Sequence, residues 1–172
     1  MEFRDVIKAR RSVRAFQDRP VEEEKLATVL EAARVAPSAG NLQAYEIRVV
    51  RDAGVRKKLA RAALRQHFVA QAPVVLVFFQ EPARSGRQYG ERGRTLYSLQ
   101  DATIACTYAQ LAAVDEGLAT CWVGAYDDDR VSAALNAPPG LVPVAVLPVG
   151  YAAEAPAPTP RRRLSDLVKE TR

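Results

Sequence analysis

The sequence predicts one domain in which helices and strands alternate along the chain. Three observations carry that expectation. The chain has 172 residues, 48% of them hydrophobic and 26% charged, which is enough apolar surface to bury one core. Apolar residues recur at helical spacing in some segments and at strand spacing in others. No Gly-rich phosphate loop follows any predicted strand, so neither the dinucleotide fingerprint nor the nucleotide-triphosphate loop is present.

Asp5 to Arg10 reads as the end of a short first helix, followed by the basic stretch Arg10-Arg11-Ser12-Val13-Arg14. Pro20 cannot continue a helix interior. Glu22, Glu23 and Glu24 favour a helix amino end, and Leu26, Val29, Leu30 and Ala33 follow at helical spacing, with Pro37 beyond the stop. Tyr45 to Val50 alternates as a strand. Val55 to Gln66, rich in Ala, Leu, Lys and Arg, reads as a helix. Val74 to Phe79 is a continuous apolar run after Pro73, short enough for a buried strand.

Glu81 to Arg94 turns polar and holds Gly86, Gly90, Gly93 and several arginines, which predicts a mobile surface loop. Leu96 to Gly117 carries small and apolar residues on nearly every face, so this helix must be buried, either in a domain core or partly against a second subunit. Thr120 to Val123 reads as a buried strand leading to Gly124, and Asp127-Asp128-Asp129 begins a helix running to Leu135. Val142 to Val149 is the last strand; Pro143 and Pro148 predict that it lies at an edge or is irregular. Ala152 to Pro160, rich in Pro and Ala, reads as an extended arm ending at Arg161-Arg162-Arg163.

Several functions lose their support at this level. No stretch approaches the roughly 20 apolar residues of a membrane span, and Met1-Glu-Phe-Arg-Asp has charges where a signal peptide needs an apolar run, so the expected location is the cytoplasm, with no membrane partner. Cys106 and Cys121 lie in apolar segments without ligand-spaced neighbours and read as reduced core residues; no metal is expected. His67 is the sole histidine and has no neighbouring serine motif or cysteine elbow to build a triad with. The acidic runs sit at predicted helix starts, where electrostatics explain them.

A chain without an evident acid, base, nucleophile or metal is a binding module or an enzyme whose cofactor does the chemistry. The net charge is +5 and arginine dominates it, the lysines being Lys8, Lys25, Lys57, Lys58 and Lys169. Arg10, Arg11, Ser12 and Arg14 offer three guanidinium groups and a hydroxyl within five residues, which suits a phosphate monoester; Arg161 and Arg163 repeat the offer from the far end. Taken alone, each cluster also reads as solvated surface.

Arg10-Arg11-Ser12-Val13-Arg14-Ala15-Phe16 resembles the Arg-x-Ser-x-Arg/Lys-x-Phe signature of FMN-dependent nitroreductases, and Pro37-Ser38-Ala39-Gly40-Asn41-Leu42-Gln43 resembles that family's Pro-Ser-x-x-Asn-x-Gln loop. Gln100-Asp101-Ala102, the run Gly117 to Gly124, and Pro148-Val149-Gly150-Tyr151 are similar to later landmarks in the same order. The resemblance implies an α+β fold with a central, mostly antiparallel sheet flanked by helices in an intertwined homodimer. It also implies one FMN-binding domain over 1–172, with 152–172 as an extended C-terminal arm.

By that resemblance Arg10, Ser12, Arg161 and Arg163 bind the FMN phosphate, Arg11 helps along the ribityl chain or phosphate edge, and Arg14 points at the pyrimidine end of the flavin. Pro37, Ser38, Ala39 and Asn41 come from the other subunit, with Gln43 close by. Gly124 and Ala125 match the turn whose backbone amide meets flavin N5, and Gln66 is a further edge contact. The implied activity is hydride transfer from NADH or NADPH to a nitroaromatic, quinone or similar small acceptor. Alternatives are a flavin dehydrogenase or dehalogenase on the same fold, and a basic nucleic-acid-binding module; the last lacks the interleaved aromatics of a single-strand binder, so no nucleic-acid partner is expected. Ala44 and Tyr45 stand where many members have Pro and an aromatic, the Gly124 position often carries Glu in larger enzymes, and the 81–94 loop replaces their long inserted helical segment.

Overall fold

The computed structural model describes residues 1–171. Along the chain run α1 (Phe3–Ala9), α2 (Glu23–Arg34), β1 (Tyr45–Val50), α3 (Ala53–Ala62), α4 (Phe68–Gln71), β2 (Val74–Gln80), α5 (Pro82–Arg92), α6 (Ser98–Asp115), β3 (Ala119–Thr120), α7 (Asp128–Ala134), β4 (Val142–Gly150) and α8 (Leu164–Leu167). The strands form an antiparallel sheet in the order β1-β2-β4-β3. The fold is therefore α+β, with helices on both faces of the sheet.

β2 is the spine of that arrangement. Val75, Val77 and Phe79 point into one cluster with Leu59 of α3, Val69 of α4 and Val131 of α7. Val74, Leu76 and Phe78 point into the other, with Leu26 and Val29 of α2 and Ala105 and Ala109 of α6. Both faces being covered is why β2 is a continuous apolar run rather than an alternating one. Full burial of each such Phe or Leu stabilises by about 1.5–3 kcal/mol.

β4 lies inside the sheet between β2 and β3, so the expected irregularity is present without the edge position. Pro143 falls at the register shift opposite Phe78 and Phe79, where the ladder is already broken. Pro148 lies one residue past the β3 ladder, which pairs only Ala119 with Gly150 and Thr120 with Val149. Neither missing N–H therefore interrupts a regular run. α3 is shorter than its composition predicts: Asp52 caps it through the Val55 N–H at 2.8 Å, and left-handed Leu64 and Arg65 end it.

The expectation of a mobile loop over Glu81 to Arg94 is corrected: α5 continues into a π-helical turn over Gly93–Tyr97. The glycines that suggested a loop serve close packing instead. A Cβ on Gly93 would stand 2.5 Å from the Ser85 carbonyl oxygen, and one on Gly86 would stand 2.5 Å from Cγ of Arg94. Only Gly90 breaks the helix, with φ of 56° and ψ of −138°.

The two ends of the chain meet beside β3. Val13 donates its N–H to the Thr120 carbonyl at 3.0 Å, Phe16 bridges Ala152, and Ala153 donates to the Ala15 carbonyl at 2.8 Å. Beyond this splice the chain runs without regular structure until α8, a helical turn that the Pro- and Ala-rich composition did not signal.

Candidate functional site

The splice brings the two arginine clusters together. Arg10, Arg11, Ser12 and Arg14 line a cavity of about 460 Å³ whose opposite wall is Pro156 to Thr159 and Arg161. Among the described residues none of Arg10, Arg11, Arg14 and Arg161 takes part in a salt bridge. The lining therefore carries a net positive charge, which favours an anion. Glu154 accepts the Arg14 backbone N–H and fixes the loop there, a role that sequence spacing did not reveal because the two residues lie 140 apart. Arg163 is not brought to this wall: its guanidinium pairs with Asp166 at 3.1 Å, three residues on along α8.

Cys121 sits behind the same cavity. Burial pushes its thiol pKa up, opposed by Arg14, the Ser12 hydroxyl and Arg10. Burial alone drives Cys106 well above the ordinary range. Neither thiol is a ready thiolate at neutral pH.

A second cavity, of about 610 Å³, is lined by Pro37, Ser38 and Ala39 together with Tyr97, Leu99 and Ile104. It shares no lining residue with the first. The turn over Ala39–Asn41 is tightly held: Ser38 Oγ accepts the Gln43 N–H at 2.9 Å, and Gln43 Nε2 donates to the Asn41 carbonyl at 2.8 Å and to its Oδ1 at 3.0 Å. Gly40, Asn41 and Gln43 all have left-handed φ. The α5 segment packs on this turn, with Arg84 donating to the Leu42 carbonyl and the Tyr89 hydroxyl 2.4 Å from where a Gly40 Cβ would stand. Asp101, at the start of α6, accepts from the turn as well; its sequence signal was an acid in the first turn of a helix otherwise uncharged until Asp115 at its end.

Gln66, Gly124 and Ala125 also converge. Gln66 Nε2 donates to the Ala125 carbonyl at 3.2 Å and to the Ala63 carbonyl at 3.0 Å, and the Asp127 N–H reaches the Ala62 carbonyl at 3.0 Å. The exposed Gly124-Ala125 turn is thus tied to the end of α3. A Cβ on Gly124 would meet only the Trp122 ring, at 3.4 Å.

Comparison with known proteins decides what this arrangement belongs to. The model of the "Nitroreductase family" matches residues 7–66 and 61–151. The chain belongs to the nitroreductase family. This nitroreductase-family chain is 32% identical over 186 residues to an NADH dehydrogenase of Thermus thermophilus, covering 92% of this chain and 91% of that protein. It is 30% identical over 169 residues to an FMN reductase [NAD(P)H] of Bacillus subtilis, covering 88% of this chain and 66% of the relative. Among solved structures it superposes on the NADPH:FMN oxidoreductase from Vibrio harveyi complexed with NAD+, with a TM-score of 0.90 and 26% identity over 99% of this chain and 77% of the other. Among the described residues no helix is long and apolar enough to cross a membrane.

Proposed function

We propose that this nitroreductase-family chain is an NAD(P)H-dependent FMN oxidoreductase that works as a homodimer and reduces a nitroaromatic, quinone or similar small acceptor by a ping-pong cycle. The observation that carries the reading is the cavity in which guanidinium groups from both ends of the chain meet a serine hydroxyl, none of them held in a salt bridge among the described residues. That donor set fits a phosphate monoester with a polar tail, as FMN has. The Bacillus relative named as an FMN reductase and the Vibrio structure holding NAD+ support the same cofactor and donor.

Arg10, Ser12 and Arg161 would hold the phosphate, Arg11 its edge or the adjoining chain, and Arg14 the pyrimidine end. Arg163 is left out of the phosphate set, because Asp166 already holds its guanidinium. Pro37, Ser38, Ala39, Asn41 and Gln43 would be supplied by the partner protomer, which accounts for Pro37, Ser38 and Ala39 lining a separate cavity in a single chain. The partner would close over α6, where Leu99 and Tyr108 are exposed.

When bound, FMN supplies the centre that takes a hydride from the nicotinamide and passes it to the acceptor. The exposed Gly124-Ala125 turn, braced by Gln66, presents small residues that allow close approach there. A cation at Arg14 favours the reduced cofactor, because negative charge grows at the pyrimidine end on reduction. No side chain need act as acid or base if the exposed face takes its proton from water.

The test is the visible spectrum of the purified protein, followed by anaerobic titration with NADH and with NADPH. A yellow protein bleached by one or both is expected. A colourless protein that fails to take up added FMN sinks the reading.

A further inference from the structure

Asp101 is 1% exposed and lies in the first turn of α6. Among the described residues it joins no salt bridge. Both carboxylate oxygens are spent on one backbone segment: Oδ1 accepts the Ala39 N–H at 2.9 Å and Oδ2 accepts the Ala44 N–H at 3.3 Å. Those two donors bracket the Ala39–Asn41 turn and the left-handed residues Asn41 and Gln43, a conformation that non-glycine residues seldom adopt. The Gln43 N–H, inside the bracket, is accepted by Ser38 Oγ at 2.9 Å. Among side chains of this size, an ionised carboxylate accepts at two oxygens and donates nothing, so it satisfies two N–H groups at once. Asparagine would turn its NH2 group toward one of them.

We propose that Asp101 is a positioning residue for the flavin site of the partner protomer: it sets the backbone of the Pro37–Gln43 turn so that the turn can close on a cofactor held by the other subunit's arginines. The proposal rests on the shared-site reading above. Asp101 acts through the amides at the two ends of the turn.

Mixed dimers separate this role from general support of the fold. In a homodimer, Asp101→Asn should weaken FMN binding by about tenfold or more, the scale expected when a charge-assisted hydrogen bond is lost. The thermal midpoint of the apoprotein is measured alongside. The variant is then paired with a protomer carrying Arg10→Ala and Arg161→Ala. One of the two sites in that dimer joins an intact arginine cavity to an intact turn, so one FMN per dimer should bind with the parental affinity. A subunit merely destabilised by Asp101→Asn would also spoil its own arginine cavity, and the mixed dimer would hold none; that result overturns the proposal. So does a homodimeric Asp101→Asn protein that binds FMN as the parent does. Should Asp101→Asn fail to fold, Asp101→Glu, whose longer side chain displaces both oxygens from the two amides, takes its place in the mixed dimer, with the same two outcomes. A parent chain that holds no FMN instead removes the shared-site reading itself.

Discussion

Glu22 accepts the Tyr151 hydroxyl at 2.5 Å and the Arg19 guanidinium at 2.9 Å, while that guanidinium stacks 3.8 Å from the Tyr151 ring centroid. The Tyr151 hydroxyl first, then the Glu22 backbone N–H and Arg19, hold the carboxyl at about 2 against an ordinary 4.5. Because the folded value is depressed, the stabilisation is fully present above the unfolded value and is lost as pH falls from about 4.5 toward about 2. Thermal melts across that window should show the parent losing more of its midpoint than Glu22→Gln; parallel curves would contradict the assignment. In the arginine cavity, Arg10→Ala and Arg161→Ala should each weaken FMN binding by about 1.5–3 kcal/mol, roughly ten- to a hundredfold. Arg163→Ala, which only frees Asp166, should change it little. Fluorescence titration with FMN distinguishes the three, and an Arg163 effect as large as that of Arg161 would redraw the phosphate site.

Among the elements, α5 and its π-helical continuation connect packing most directly to the site, since Arg84 and Tyr89 rest on the turn that Asp101 holds from the other side. The segment depends on a close approach at Gly93, where an added methyl would collide with backbone rather than with a movable side chain. Gly93→Ala should therefore destabilise by about 1–3 kcal/mol, read by chemical denaturation, whereas an unchanged midpoint would show that the turn gives way freely. The same glycines explain why a loop was expected here. A Gly-rich polar stretch is the signal both of a turn and of two backbones packed together, and only the partner surface separates the two cases. α6 shows the complementary ambiguity: Ala102, Ala105 and Ala109 face the core, while Leu99 and Tyr108 are each about two-fifths exposed at 39% and 40%.

For the molecule as a whole, the exposed stripe of α6 and the separation of the two cavities lead to the same expectation. Leu99→Glu combined with Tyr108→Glu should shift sedimentation from dimer to monomer and lower FMN occupancy together, because charges in a closing interface lose solvation without a partner. Monomers that retain FMN with the parental affinity would refute a shared site. The splice between Val13–Gln17 and Thr120 or Tyr151–Ala153 is the other whole-chain feature. It joins residues more than a hundred positions apart, and the arginine-lined cavity depends on it.

The sequence by itself determined the local pieces of this protein. Tyr45–Val50 and Val74–Phe79 were legible as strands, and the segment from the Glu22–Glu24 run to before Pro37 as a helix, because burial imposes its period on consecutive residues. The Arg10–Arg14 cluster was legible because its chemistry is contained in a few adjacent side chains, and the Pro37–Gln43 loop through its family resemblance. Tertiary structure alone decided the order β1-β2-β4-β3, the meeting of Arg10 with Arg161, and the clamp from Asp101 to Ala39 and Ala44. Such pairings are set by which distant surfaces bury each other and which donors remain to be satisfied, and neither leaves a periodic trace in the chain.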